Sequence, residues 1–205
     1  HRTVIVRKLK RLEGAIGMTV VDPIRTEAEG WAFREGPGHS VDPINGWDFL
    51  SSAYVATNDS YQGRVTVPVL WDTQTGRIVS NVDEDIMRML NSAFDDHTDV
   101  DLNLLPDDLL AEIDRVNEYV YPNVNDGVYR SGFASTQRAY EAAAGALFDA
   151  LDRLEDRLSA QRYLVGSAIT EADWRLFPTL IRFDAVYHGH FKCNLRRIVD
   201  YPNLH

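Results

Sequence analysis

The stretch Val65–Asp72 reads VTVPVLWD, and its proline limits what the chain can build there. Val65, Val67 and Val69 alternate with Thr66 and Leu70, the β-branched enrichment of a strand. Pro68 removes one ladder N–H, which confines such a strand to a sheet edge, a bulge or a turn. One reading is an ordinary edge strand. The other is a cis X-Pro bond whose preceding residue turns its backbone to a ligand, because such bonds are uncommon and specifically placed. The neighbouring segments decide between them.

HRTVIVRKLKRLE is an amphipathic helix with Ile5, Leu9 and Leu12 at helical spacing. Helical periodicity from the first residue, without an initiator Met, implies a segment preceding His1. IGMTVVDPI then reads as a strand ending at Pro23. A Gly- and Pro-bearing connection runs from Arg25 to Gln62 with little periodicity, and Trp31 and Trp47 within it argue for order. After VTVPVLWD come a turn through Thr73–Gly76 and the strand RIVS. NVDEDIMRMLNSAFD is a helix with Asn81 as N-cap, Asp83, Glu84 and Asp85 in its first turn, and an apolar stripe of Ile86, Met89, Leu90 and Phe94. Composition shifts at DDHTDVDLNLLP, where 96–105 is the expected linker. Beyond it the pattern is all-helical. Pro106 suits the first helical position before DDLLAEIDRVNEYVY. Leu147, Leu151, Leu154 and Leu158 share one face of a long helix, and Thr170–Asp173 forms a capping box ahead of WRLFPTLIRF.

A chain of 205 residues can bury a real core as one large domain or two small ones. No apolar run approaches a membrane span. The net charge of −10 argues against a nucleic-acid or anionic-membrane surface. Lysine occurs only at Lys8, Lys10 and Lys192; the Asp-rich, Arg-rich balance fits a salt-rich cytoplasm and ordinary acidic drift equally well. The single cysteine, Cys193, excludes an internal disulfide and fits a reducing compartment. No activating pattern surrounds it, so it reads as a small buried hydrophobe. His188 and His190 lack the further ligands of a metal site.

Helix, strand, long connection, Pro-bearing strand, hairpin strand and acidic-capped helix, followed by an all-α half, resemble a glutathione transferase. The implied fold class is α/β plus all-α. A thioredoxin-like N-terminal domain lacking its first strand and nucleophile segment would span 1–95, and an all-helical domain, shortened at its C-terminus, 106–205. HRTVIVRKLK, GWAF, VPVLWD, RIVSN, NDGVYRSGFA, TEADWRLF, RFDAVYHGHFKCN and RRIVDYPNL, taken together, resemble the Xi class, the glutathionyl-hydroquinone reductases, over nearly the whole chain. The resemblance implies a thiol-dependent reductase that removes glutathione from glutathionyl-hydroquinones through a cysteine mixed disulfide. It also implies a cytoplasmic homodimer with a small-molecule thiol and a quinone-derived substrate, and no metal, nucleic acid or membrane. Two alternatives stand beside it: a conjugating transferase with Ser or Tyr as nucleophile, and a non-catalytic transferase-like interaction module.

In that family Cys-Pro-Trp-Ala precedes HRT, which puts the nucleophile just before His1, where orphan helix N–H groups stabilise a thiolate. The resemblance makes Pro68 cis and gives Val67 the cysteinyl part of glutathione. It places Trp31 at the glutathione site, Arg64 on a glutathione carboxylate and the Tyr129 hydroxyl on the hydroquinone, with Tyr121 and Asn125 nearby in sequence. Each has a plainer reading, Trp31 as a core anchor, Arg64 as a solvated charge and the tyrosines as packing. Where the family carries Asn-Glu-Ser for the γ-glutamyl end, this chain has Asn81-Val82-Asp83. Val82 offers no side-chain hydrogen bond, and the Asp83 carboxylate repels another carboxylate while attracting an amino group. The co-substrate is therefore glutathione bound in a shifted register, or another low-molecular-weight thiol.

Overall fold

Pro68 stands ahead of the strand rather than inside it. The Val67–Pro68 bond is cis, as the second reading expects. Strand β1 spans only Leu70–Asp72, and it pairs antiparallel with β2, Arg77–Ser80. The rest of VTVPVLWD makes no ladder, and within it the backbone groups of Thr66 are taken by a side chain. The Tyr54 hydroxyl donates to the Thr66 carbonyl at 2.9 Å and lies 3.2 Å from the Thr66 N–H, which it accepts. The hairpin turn closes at Gly76, whose φ of 64° suits a residue without Cβ. The Asp72 carboxylate accepts the Gln74 N–H and the Thr75 hydroxyl inside that turn.

This computed structural model describes residues 1–205. The chain divides into two compact units, Thr3–Leu102 and Asn103–His205, the second also including His1 and Arg2.

In the first unit, α1 spans Arg2–Leu9. Its buried face differs from the expected stripe: Thr3, Val6 and Lys10 lie inside with Leu12, while Ile5 and Leu9 are only partly buried. Lys10 is tolerated there because its ammonium donates to Asp95 at 2.7 Å and to the Leu102 carbonyl at 3.0 Å. The expected strand IGMTVVDPI is not formed. Its main chain makes single bonds, Ser40 N–H to Val20 O and Asp22 N–H to Ala32 O, rather than a ladder. The connection instead holds a helix that the pattern did not announce, α2, Ser51–Thr57. At seven residues it is too short for a 3.6-residue period to show. Helix α3 spans Asp83–Ser92. Its N-cap is Val82 rather than Asn81, whose amide is engaged instead in a 3.1 Å bond to Thr66 Oγ1. Ile86 and Leu90 are buried as expected, but Met87 and Asn91 accompany them and Met89 and Phe94 are only partly covered.

The second unit is all-helical. Helix α4 spans Leu110–Val120, so Pro106 is not its first residue; Pro106 O accepts the Leu109 N–H in a preceding turn. A π-turn, Tyr121–Asn125, leads into α5, Gly127–Gly132. Helix α6, Gln137–Ala160, is capped by Thr136, and Leu147, Leu151 and Leu154 are buried along it with Leu158 at the edge. Helix α7, Glu171–Arg182, opens on the expected capping box, with the Thr170 N–H on the Asp173 carboxylate at 2.8 Å. A second π-turn, Phe183–Tyr187, and the one-turn α8, His188–His190, follow. No helix is long and apolar enough to cross a membrane.

Candidate functional site

The first unit gathers several candidate residues around Tyr54. Its ring packs on Tyr61 at a centroid distance of 4.9 Å, and its hydroxyl holds Thr66, immediately before Val67. Thr66 Oγ1 in turn receives the Asn81 amide, which ties the Thr66–Val67–Pro68 segment to Asn81-Val82-Asp83 at the start of α3. Val67 is 44% exposed, and its N–H and C=O enter no hydrogen bond within the chain. A backbone with both groups open is what an extended thiol peptide pairs with. The Val82 N–H is already taken by Ser80 Oγ at 3.0 Å, and Asp83 occupies the first position of α3. Its carboxylate sits at the positive end of the helix dipole.

Trp31 packs, partly buried, against the cluster of Leu50, Ala53 and Tyr54, and its carbonyl accepts the Leu50 N–H at 2.9 Å. It is thus a core anchor by geometry, adjoining the group that holds Thr66. Arg64 is exposed, and its carbonyl accepts the Tyr61 hydroxyl. Sequence reading missed Tyr54, because α2 carried no visible period.

The second unit gathers an aromatic cluster. Tyr129 on α5 meets Tyr187 edge-on at 5.8 Å and Phe191 at 5.2 Å, and Phe133 meets Phe191 at 5.3 Å. The Tyr129 and Tyr187 hydroxyls lie 3.4 Å apart. Tyr129 is 39% exposed and Phe133 74%, whereas Tyr187 is buried. Phe191 approaches this closely because residue 132 is glycine; a Cβ there would fall 2.4 Å from the ring. Burial first, then the Tyr129 hydroxyl, pushes the Tyr187 phenol above its ordinary range, while the Arg182 and Arg2 guanidinium groups oppose that shift. One exposed and one buried phenol that can exchange one hydrogen bond offer an adaptable donor and acceptor to a ligand hydroxyl.

Tyr121, half-exposed at the start of the first π-turn, is not among these rings. Asn125 is buried and bonds Thr179 rather than a tyrosine. Tyr187, Phe133 and Phe191 escaped sequence reading, although NDGVYRSGF and DAVYHGHF each carry two aromatics four residues apart, the spacing of one helix face. Cys193 is fully buried, and burial pushes its thiol up to about 11, the inert behaviour expected of it. No group of three or more His, Cys, Asp or Glu is placed to hold a metal ion.

Residues 137–205 match the family model described as glutathione S-transferase, C-terminal domain. The whole chain is 53% identical to glutathionyl-hydroquinone reductase PcpF of Sphingobium chlorophenolicum and 47% identical to glutathionyl-hydroquinone reductase YqjG of Escherichia coli. It spans 65% and 62% of the length of those two relatives. Among solved structures it superposes on glutathione-bound YqjG with a TM-score of 0.96, covering 100% of this chain and 66% of that one at 47% identity. Glutathione transferase Xi 1 from Trametes versicolor matches at a TM-score of 0.94 and 51% identity, over 99% of this chain and 72% of that one. The fold is therefore the glutathione transferase fold expected from the motifs, and the chain belongs to the Xi class of the glutathione transferase family.

Proposed function

We propose that this chain is the larger part of a glutathionyl-hydroquinone reductase. The observation that carries the reading is the similarity of the entire chain to two such reductases at 53% and 47% identity. The Thr3–Leu102 unit is the thiol-binding domain. Val67, before Pro68, pairs its open N–H and C=O with the cysteinyl part of glutathione; Trp31 shapes that site, Arg64 meets a carboxylate, and Val82 and Asp83 receive the γ-glutamyl end. The helical unit is the hydroquinone-binding domain, with Tyr129 as its catalytic residue and Tyr121 at its margin.

In this mechanism a cysteine preceding His1 attacks the glutathione sulfur of a glutathionyl-hydroquinone. An S–S bond forms, the S–C bond breaks, and the ring carbon takes a proton as the free hydroquinone leaves. The Tyr129 hydroxyl, bonded to the substrate hydroxyl, holds the ring for that proton transfer. A second glutathione thiolate then attacks the mixed disulfide, releasing oxidised glutathione and the enzyme thiolate. The ring carbon is reduced while two sulfurs, the substrate's thioether and the second glutathione's thiol, are oxidised to a disulfide, so the electrons balance. Its single buried cysteine and acidic surface suit a reducing cytoplasm, and the reading includes a homodimer, as is common in this family.

Full-length enzyme given a glutathionyl-hydroquinone and glutathione should release one hydroquinone and one oxidised glutathione per turnover. Cys193→Ser should leave the rate unchanged. Formation of a thioether from glutathione and an electrophile, with no hydroquinone release, would replace the reductase by a conjugating transferase.

A further inference from the structure

The two π-turns of the helical unit both end close to the tyrosine pair. In the first, the Asp126 N–H bonds the Tyr121 carbonyl at 2.8 Å, five residues back. Each extra residue in a helical turn rotates everything beyond it by about 100° relative to an α-helical continuation. The direction of Tyr129, in α5 directly beyond this turn, therefore depends on the turn being kept. Tyr187 is the last residue of the second π-turn, which continues α7. Isolated π-turns are rare and need surroundings that hold them.

Besides the tyrosine pair, a side-chain bond ties the first π-turn to α7. Asn125, the last residue of the first π-turn, donates through Nδ2 to Oγ1 of Thr179 on α7 at 2.8 Å. Both residues are buried, at 5% and 2% exposure. Asn125 Oδ1 is also buried and has no partner. A polar pair that strands one oxygen is a poor source of stability, since two apolar groups of the same shape are about as stable. Its directional geometry is what apolar packing does not supply. We infer that Asn125 is a positioning residue: its bond to Thr179 locks the two π-turns in register and so sets the Tyr129–Tyr187 hydroxyl approach. The role in turnover rests on the proposed reductase function, but the positioning of the tyrosines does not.

The test uses full-length enzyme with Asn125→Leu plus Thr179→Val, Thr179→Ser alone, and Asn125→Ser alone. Ultraviolet difference spectroscopy follows tyrosinate formation with rising pH, and Tyr187→Phe identifies the late step. The groups facing that phenol are Tyr129, Arg182 and Arg2, which stay unchanged in every variant. The apolar pair should unfold at nearly the wild-type temperature, yet titrate Tyr187 at least half a unit earlier (about threefold in the ionisation constant), because the Tyr129 bond is lost. Its kcat for a glutathionyl-hydroquinone should drop about tenfold with the KM for glutathione unchanged, and Thr179→Ser should behave as wild type. If the apolar pair does not fold, Asn125→Ser, too short to reach Thr179, decides by the same titration. A folded variant without the bond that keeps the wild-type tyrosine titration overturns the inference. Absence of hydroquinone release by wild type would instead overturn the reductase reading and leave the titration result standing.

Discussion

The two units solve the same backbone problem by different means. The helical unit holds one continuous cluster of twenty buried residues, built on long helices whose ladders satisfy their own backbone. In the first unit, the cluster around Leu50, Ala53 and Tyr54 has three buried members ringed by nine partly buried ones, with Trp31, Trp47 and Trp71 among them. Much of that chain runs outside ladders, and side chains accept its N–H groups: the Asp42 carboxylate takes those of Ile44, Asn45 and Trp47, and Asp22 that of Ile24. A unit built this way can leave chosen main-chain groups open, as at Val67. The helical unit presents side chains at its aromatic cluster, as at Tyr129. The proposed function draws on this difference, with main-chain groups of the first unit meeting the thiol and aromatic side chains of the second meeting the hydroquinone.

The largest test of this contrast is a cavity in each core. Leu151 is fully buried in the helical cluster, and Leu151→Ala should cost about 2–5 kcal/mol in urea unfolding. Val69 borders the smaller cluster and is partly covered, so Val69→Ala should cost less than about 1.5 kcal/mol. Similar losses at the two sites would break the contrast.

The open main chain of the first unit is probed next by Asp83. If its carboxylate competes with a ligand carboxylate for the first amides of α3, Val82→Glu with Asp83→Ser should tighten glutathione. One charge-assisted hydrogen bond is worth about 1.5–3 kcal/mol, or one to two decades in affinity. High salt should narrow the difference by screening. Equal affinities at low salt would place the Asp83 carboxylate away from the ligand.

Alkaline pH probes the side chains of the helical core. Folding raises the Cys193 thiol from its ordinary 9.0 to about 11, so the folded state binds the proton more tightly. Its stabilising contribution is complete below pH 9 and disappears as pH rises through 11. By pH 11 the loss amounts to about 2 kcal/mol, relative to Cys193→Ala. Tyr187 and Tyr201 are shifted in the same direction, but both proteins contain them and the difference cancels their effect. Parallel stability curves between pH 8 and 11 would show that the thiol is not protonated more tightly in the fold.

The same contrast governs what was legible in the sequence. Leu147, Leu151, Leu154 and Leu158 could be read as a face because α6 runs for 24 residues, long enough to repeat its period several times. The box from Thr170 to Asp173 is local chemistry and was read directly. IGMTVVDPI has strand composition but no adjacent ladder, which only tertiary structure decides. Pro106 looked like a helix start, yet Leu104 O accepts the Glu171 N–H, and that distant bond helps set the path before α4. The cis bond at Val67–Pro68 was legible through family motifs. Tyr54 and Tyr187 were not, since one sits on a helix of seven residues and the other on a π-turn that follows no regular period.

Helix capping gives the finest comparison. Thr170 and Val82 both precede their helices in extended conformation, with φ of −126° and −92°, so either backbone suits an N-cap. Thr170 closes a capping box, whereas Val82 has no side-chain bond to offer. Thr170→Ala should therefore cost about 1 kcal/mol, and Val82→Ser should gain somewhat less. Val82 is 50% exposed, so little apolar burial is forfeited by the change. The first turn of α3 already carries Asp83, Glu84 and Asp85, whose charges favour the helix dipole by a few tenths of a kcal/mol each at low salt. That support weakens as salt screens it, so the gain from Val82→Ser should grow between about 0.05 and 1 M salt while the loss at Thr170 stays constant. Urea midpoints for the two variants at both salts provide the measurement. No gain at Val82 at either salt would mean that the acidic turn already satisfies those amides, and capping would drop out of the difference between the units.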